Sequence, residues 1–556
     1  MMVGFARRWI SGRGALPLLL LVGVASEAIY LVYFVRGFYL PAYYAMPLLD
    51  LGKITRYAPG AAVEFLGYFT ALFVLYYLAY RLARAVGFSR EIDGVPRPAP
   101  GGQGRPPLRG IEDSAGGCPR VSSGALHSTP GGQRRPPLHL RSGDGSARAQ
   151  SADWWLVAIV GFAAVFSATM VFVYPVGAAD IFDYVFSGHV LAHYRLNPFA
   201  YAPVDFPNDP LYSYPAWKYV PASYGPVWAY ICGLATLLAG NDLYANLMAY
   251  KTLVVAAYMG SIWLTWRILK DTAPGYAVPG TLLFAWNPLV IYETAGNGHN
   301  DSVMMLFVLI AVYLLARRRS TLAIAALVLS ALLKFVTAVL LPVFVLSAFS
   351  QEKKLGGRAR FLGGTLVIAG LMAGVLYAPV WVGSETLGLT RRQEMFTNSF
   401  PTILLLMLEG SVGTEVARSL ITRAVTLLLV AYCVFWSLRA GGTFAGMLNA
   451  SYEVLFFYLT VASLWFQPWY LVWLVSLAAL LPRVDIAHRT VIFCYSAMLS
   501  YFVFVFLWIW NATSYDIMAV QARAVAVTYV LPVAFTAYVL WKNRAARGEA
   551  SQRVGG

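Results

Sequence analysis

The stretch Trp154–Val190, WWLVAIVGFAAVFSATMVFVYPVGAADIFDYVFSGHV, decides how the chain is read. From Trp154 to Tyr174 it is one apolar run, and about 20 such residues cross a bilayer as a helix. After Pro175 the character changes, and two acids, Asp180 and Asp183, follow the membrane exit. The same alternation of apolar run and polar turn repeats along the whole chain. Of 556 residues, 59% are hydrophobic and 12% are charged. A soluble protein carries about 25% charged residues, so that class is excluded. The fold class is therefore all-α, a polytopic membrane protein of about 13–15 transmembrane helices.

Charge sets the orientation. Lys+Arg 42 against Asp+Glu 26 gives a net charge of +16. The basic residues stand at the ends of apolar runs, which is the positive-inside pattern and points to a bilayer partner, with no nucleic acid. Arg7, Arg8 and Arg13 precede a first helix at about Leu16–Val35, and Arg81, Arg84 and Arg90 close a second at about Ala61–Val86. Later clusters at Arg267/Lys270, Arg317–Arg319, Lys353–Arg360, Arg439, Arg483/Arg489 and Lys542–Arg547 share one side if the helices between them come in pairs. The pairs are 277–294 with 301–316, 320–333 with 335–349, 361–381 with 416–439, 447–466 with 468–482, and 490–510 with 519–541. The run 224–239 is too short to span and reads as re-entrant or interfacial. Both termini then face the cytoplasm.

Four segments follow from this map as domains. Residues 1–87 hold two N-terminal helices, and 153–545 form the main transmembrane domain. Residues 88–152 are rich in Gly, Pro, Ser and Arg and read as a disordered cytoplasmic linker. Two near copies, PGGQGRPPL from Pro100 and PGGQRRPPL from Pro130, are too few for a solenoid. Residues 546–556 read as a tail. The cysteines Cys118, Cys232, Cys433 and Cys494 show neither a disulfide framework nor metal spacing.

The polar residues that remain at apolar depth gather on the outer side, where they are costly unless they line a cavity or do chemistry. Asp180 and Asp183 begin a segment of helical periodicity in which Asp180 and Tyr184 share a face. Either acid also suits a helix N-terminus simply by complementing its dipole. His189 and His193 stand at i and i+4, but too few ligands accompany them for a metal site. Glu293, Asn297, His299, Asn300 and Asp301 crowd the junction of two apolar runs, where Asp301 also fits a helix cap. Lys334 is a lone cation in SALLKFVTAVLLP, suited to snorkelling or to a phosphate. WFQPWYLVW carries Gln467 and Tyr470 inside an aromatic belt.

The segments ADIFDYVFSGHVLAHYRLNPF, SYGPVW, AWNPLVIYETAGNGHND, ALLKF and QPWYLVW, in this order, resemble bacterial polyprenyl-phosphate-mannose-dependent alpha-mannosyltransferases of the GT-C superfamily. The likeness is to alpha-(1→6)-mannopyranosyltransferases that extend lipoglycan backbones, and it covers roughly residues 150–540. It implies a GT-C fold with a structured first outer loop, and a catalytic aspartate in that loop. The D-x-x-x-Y pattern maps onto Asp180 with Tyr184, and the choice between Asp180 and Asp183 stays open. Within that reading the candidate substrate-binding residues are Asp183, Tyr184, His189, Arg195, Asn197, Tyr224, Glu293, Asn297, His299, Asn300, Asp301, Lys334, Gln467 and Tyr470.

It also implies a hexose, mannose first, moved from a polyprenyl-phosphate donor to a glycan or glycolipid acceptor. The expected site is the extracytoplasmic face of the plasma membrane, without metal or cofactor. Lipid phosphate is a fair leaving group, so one carboxylate acting as base suffices, and a single displacement inverts the anomeric centre. Lys334, His299 and Arg195 are the candidate cations for the leaving phosphate. A lipid-linked sugar flippase or other transporter is the rival. It predicts repeat symmetry between halves, which the sequence does not display.

Overall fold

Helix starts are written locally. Asp242 caps its helix by accepting from the Ala245 amide at 2.6 Å, and Asn287 caps the next turn by accepting from Leu289 and Val290. Pro226 and Pro288 stand at first helical positions, where the missing N–H costs nothing. The structure, a computed structural model, describes residues 15–94, 143–388, 395–511 and 516–555. Among these residues there is no β-strand, only two isolated bridges, Tyr39 to Val173 and Thr397 to Trp465.

The chain opens with α1 (Ala15–Ile29), extended by a π-helical turn at Tyr30–Val35, and α2 (Pro59–Gly94) packed on it. Next come α3 (Gly143–Met170), α4 (Asp180–Ala192), α5 (Pro226–Ala239) and α6 (Leu243–Thr272). After α7 (Ala277–Ala285), a turn at Pro288–Ile291 and a π-helical turn at Tyr292–Gly296 lead to α8 (Asp301–Ala316). Then follow α9 (Ser320–Leu333), a 3₁₀ segment Phe335–Leu340, and α10 (Leu341–Gln351). The last part holds α11 (Leu355–Tyr377), α12 (Phe400–Val412), α13 (Thr414–Arg439), α14 (Phe444–Phe457), α15 (Leu471–Ala478), α16 (Val484–Tyr501) and α17 (Ile517–Gly555).

Eight of the described helices are long and apolar enough to cross a membrane. The pair Pro288–Gly296 and Asp301–Ala316, bent by 117°, would make a ninth span if counted as one. The chain is thus an all-α, multi-pass membrane protein. The sequence expects about 14 spans. The difference lies mainly in shorter apolar helices of 10–17 residues, among them Trp154–Met170, Ser320–Leu333 and Pro468–Ala478. The helix Pro226–Ala239 stays short because Gly240, at φ +69°, turns the chain.

Burial separates the helices into two kinds. α8 is wedged between α6 and α9, and its residues Met304, Met305, Val308 and Val312 are fully enclosed. α11 and α13 instead present Leu366, Leu371, Val375, Leu420, Leu427 and Val430 outward. Such continuous apolar exposure is suited to lipid. The described helices also run past the expected domain edges. α2 continues to Gly94, α3 begins at Gly143, and the remainder of the linker lies outside the described residues. α17 runs to Gly555, past the expected boundary at 546.

Candidate active site

The loop that leaves α3 turns into α4 with Asp180 at its first position. Gly188 lets α4 lie directly on α5, since a Cβ there would meet the Cys232 carbonyl at 2.5 Å and Thr236 Oγ1 at 2.4 Å. Gly225 makes a second close approach. Its N–H donates to the Leu333 carbonyl at 2.9 Å, and a Cβ would meet the Leu332 carbonyl at 2.0 Å. These two contacts bring Asp180, Tyr224 and Lys334 to one place from three parts of the chain.

A cavity of about 400 Å³ lies there. Asp180, Asp183, Tyr184, Tyr224, Lys334 and Tyr470 line it, together with Trp217, Trp228, Trp465, Trp469 and Trp473. The Tyr224 hydroxyl donates to Asp180 Oδ2 at 2.9 Å, and Tyr184 donates to the Tyr224 oxygen at 3.4 Å. Burial pushes the Asp180 carboxyl above its ordinary value, against the opposing pull of the Tyr224 hydrogen bond and of Lys334. Asp183 differs. Its Oδ1 accepts from the Trp217 amide at 3.1 Å, so it is tied to backbone. Burial and the nearby Asp180 charge raise its carboxyl well above the usual range.

Lys334 is the cation of the cavity. Its Nζ lies 2.7 Å from Asp301 Oδ1 and between 5.1 and 5.5 Å from the ring centres of Tyr224, Tyr470 and Trp473. Trp473 Nε1 also donates to Asp301 Oδ1. Asp301 therefore holds the lysine from behind and stays fully buried.

The rest of the AGNGHND block forms a second buried polar cluster. Glu293 accepts from Tyr501 and from Asn297, both at 2.8 Å. Asn297 Oδ1 accepts from the Gly177 amide at 3.0 Å, on the loop that leads into Asp180. His299 stacks on Trp469 with ring centres 4.1 Å apart, and its Nε2 stands 3.4 Å from Glu293 Oε2. Asn300 is fully buried beside it in the chain. Lys251, which the sequence reading passes over, donates to the carbonyls of Val173, Ala295 and Gly296. It ties the end of the α3 segment to the turn that carries this cluster.

Nine expected site residues do not line the cavity: Glu293, Asn297, His299, Asn300 and Asp301, described above, and His189, Arg195, Asn197 and Gln467. His189 Nε2 is 2.9 Å from Asp209 Oδ2, which also accepts from Tyr194 at 2.7 Å. This anchors the loop that follows α4, and burial lowers the imidazole below its ordinary value despite Asp209. Asn197 is spent on the loop, accepting from the Phe199 amide and donating to the Val380 carbonyl. Arg195 is exposed, at φ +53°, and Gln467 is half-buried at the start of the 468–470 turn. Among the described residues no three His, Cys, Asp or Glu side chains converge as metal ligands.

Comparison with known proteins bears on the same segment. The family described as "Alpha-(1->6)-mannopyranosyltransferase, N-terminal domain" matches residues 140–350. Alpha-(1->6)-mannopyranosyltransferase A of Mycobacterium tuberculosis is 27% identical over 173 residues, 31% of this chain and 33% of that protein. Its namesake in Corynebacterium glutamicum is 25% identical over 198 residues, 35% of this chain and 40% of that protein. The chain thus spans between 33% and 40% of the length of these curated relatives. From residue 140 to 350, the part that carries Asp180, Tyr224 and Lys334, the chain is similar to the bacterial alpha-(1→6)-mannopyranosyltransferases.

Proposed function

We propose that this protein is a membrane glycosyltransferase that moves mannose from a polyprenyl-phosphate donor to a glycan or glycolipid acceptor. The site works at the outer face of the plasma membrane. The observation that carries the reading is the cavity itself, where a buried, hydroxyl-bound carboxylate and a lysine face the same space. Similarity to mannosyltransferases over the same residues supports the choice of sugar.

Asp180 acts as general base and takes the proton of the acceptor hydroxyl. The acceptor oxygen bonds to the anomeric carbon as the bond from that carbon to the phosphate oxygen breaks. The electron pair leaves with the lipid phosphate, and Lys334 stabilises the charge it gains. A single displacement inverts the centre, so a β-linked donor yields an α-linked product. The raised position of the Asp180 carboxyl suits this role, because a stronger base removes a hydroxyl proton more readily. Tyr184 and Tyr224 orient the carboxylate. Thr422, Val425, Thr426 and Leu429 of α13 also line the cavity, on a helix whose other faces are apolar and exposed. They offer a wall suited to a prenyl chain.

Product analysis tests the proposal. Purified protein, synthetic polyprenyl-phosphate-mannose and an α-(1→6)-mannooligosaccharide should yield an acceptor longer by one α-linked mannose. Movement of intact donor across vesicles without any transfer would instead support a flippase.

A further inference from the structure

Two cavity residues, Trp217 and Trp465, come from loops far apart in the chain, yet their rings meet edge to face at 5.8 Å. Each is fixed through its backbone. The Trp217 amide is held by Asp183, and the Ala216 backbone also bonds that carboxylate. Trp465 lies in an isolated bridge to Thr397. The Thr397 amide donates to the Leu464 carbonyl at 3.2 Å and the Phe466 amide to the Thr397 carbonyl at 3.1 Å. Thr397 in turn is bonded by Gln521 of α17.

Their exposure points to a ligand. Trp217 remains 40% exposed although it lines the cavity, and Tyr201 beside the same space is equally open. The indole N–H of Trp465 is buried with no hydrogen-bond partner among the described residues. A buried donor left unpaired is costly and calls for an acceptor from the ligand. An aromatic face next to an unpaired N–H suits a pyranose ring, which offers C–H groups on one face and hydroxyl oxygens at its edge.

We propose that Trp217 and Trp465 form the platform on which a sugar ring of the acceptor glycan stacks, with Asp183 the positioning residue that holds Trp217. The inference rests on the glycosyltransferase reading and deepens it. The platform belongs to the acceptor because Trp217, Tyr201 and Pro203 come from the loop between α4 and α5, which the proposed orientation sets outside the membrane. The wall suited to a lipid tail comes from α13 instead. Asp183 is given the positioning role because its Oδ1 is tied to the Trp217 amide and its Oδ2 is buried.

Calorimetric titration with α-(1→6)-mannotriose, run on full-length protein in detergent, reads the platform without turnover. Wild type should bind saturably. Trp217→Ala should bind about tenfold more weakly, within what one aromatic contact supplies. Trp217→Phe should keep most of the affinity, which controls for misfolding, and Asp183→Asn should weaken binding in the same direction. In transfer assays Trp217→Ala should raise the acceptor KM while the donor KM stays within twofold. Unchanged mannotriose binding in Trp217→Ala, no binding by wild type, or an equal rise in both KM values would overturn the inference. Binding of mannotriose by wild type without any mannose transfer would sink the glycosyltransferase reading alone.

Discussion

At the scale of single residues, Lys334 and Asp180 carry the most testable weight. Lys334 is held by Asp301, so Lys334→Met strands a fully buried carboxylate and should cost about 3–5 kcal/mol of stability. Among the molecules that fold, donor KM should rise well beyond acceptor KM, because the proposed mechanism sets that charge against the leaving phosphate. Lys334→Arg should keep part of the donor use. Equal donor KM in wild type and Lys334→Met, measured by initial rates, would leave the lysine a purely structural partner of Asp301. For Asp180 the sign of the electrostatics gives a second expectation. Burial raises its folded value above the unfolded one, so protonation favours the fold. The stabilisation is present at low pH and is lost as pH rises through the raised value. Ionised Asp180 therefore costs stability at neutral pH, while turnover needs that ionised form. The acid limb of the kcat/KM profile should lie above the ordinary carboxylate range. Asp180→Asn should melt at or above the wild-type temperature, and a clear fall in melting temperature would contradict the assignment.

Elements meet at glycines. Gly225 sets the loop before α5 against the end of α9, and no side chain fits between it and the Leu332 carbonyl. Gly225→Ala must push that loop away by more than an ångström, and Tyr224 moves with it. Turnover should fall at least tenfold, while folded yield from membranes drops only modestly. Wild-type rates in Gly225→Ala would show that Tyr224 has no part in placing Asp180. The sequence made several of these elements legible, for definite reasons. Apolar runs ending in basic residues located most of the helices. D-x-x-x-Y at a membrane exit marked α4, because one helical turn joins those residues. The NGHND crowding exposed the α8 turn, since polar groups at that depth have few other uses. What stayed illegible depends on distant partners. Trp473 reaches Asp301 across 172 residues, and nothing local separates it from the aromatic belt around it. The sequence favours Asp180 but leaves Asp183 open, and the bond from the distant Trp217 amide to Asp183 could not be read locally. Lys251 did carry a signal, a lone cation inside an apolar helix, but its carbonyl partners lie on two other segments.

For the whole molecule, the proposed orientation puts the loop between α4 and α5 outside and the expected linker inside. Ser213 is exposed on the loop between α4 and α5, and Ser122 falls within the expected linker. In a chain with its own cysteines replaced, Ser213→Cys should react with an impermeant maleimide on intact cells, and Ser122→Cys only after permeabilisation. Labelling of Ser122→Cys from outside would invert the map and move the cavity to the cytoplasm. The most direct test of the mechanism uses the full chain in vesicles, with polyprenyl-phosphate-mannose and saturating α-(1→6)-mannotriose. Turnover is compared among wild type, Asp180→Asn and Asp183→Asn. A positioned base is worth roughly 10²–10⁴ in rate, so Asp180→Asn should lose at least that much, while Asp183→Asn keeps most of its kcat at saturating acceptor. Normal turnover by Asp180→Asn, whatever Asp183→Asn does, would contradict the assignment of Asp180 as the base.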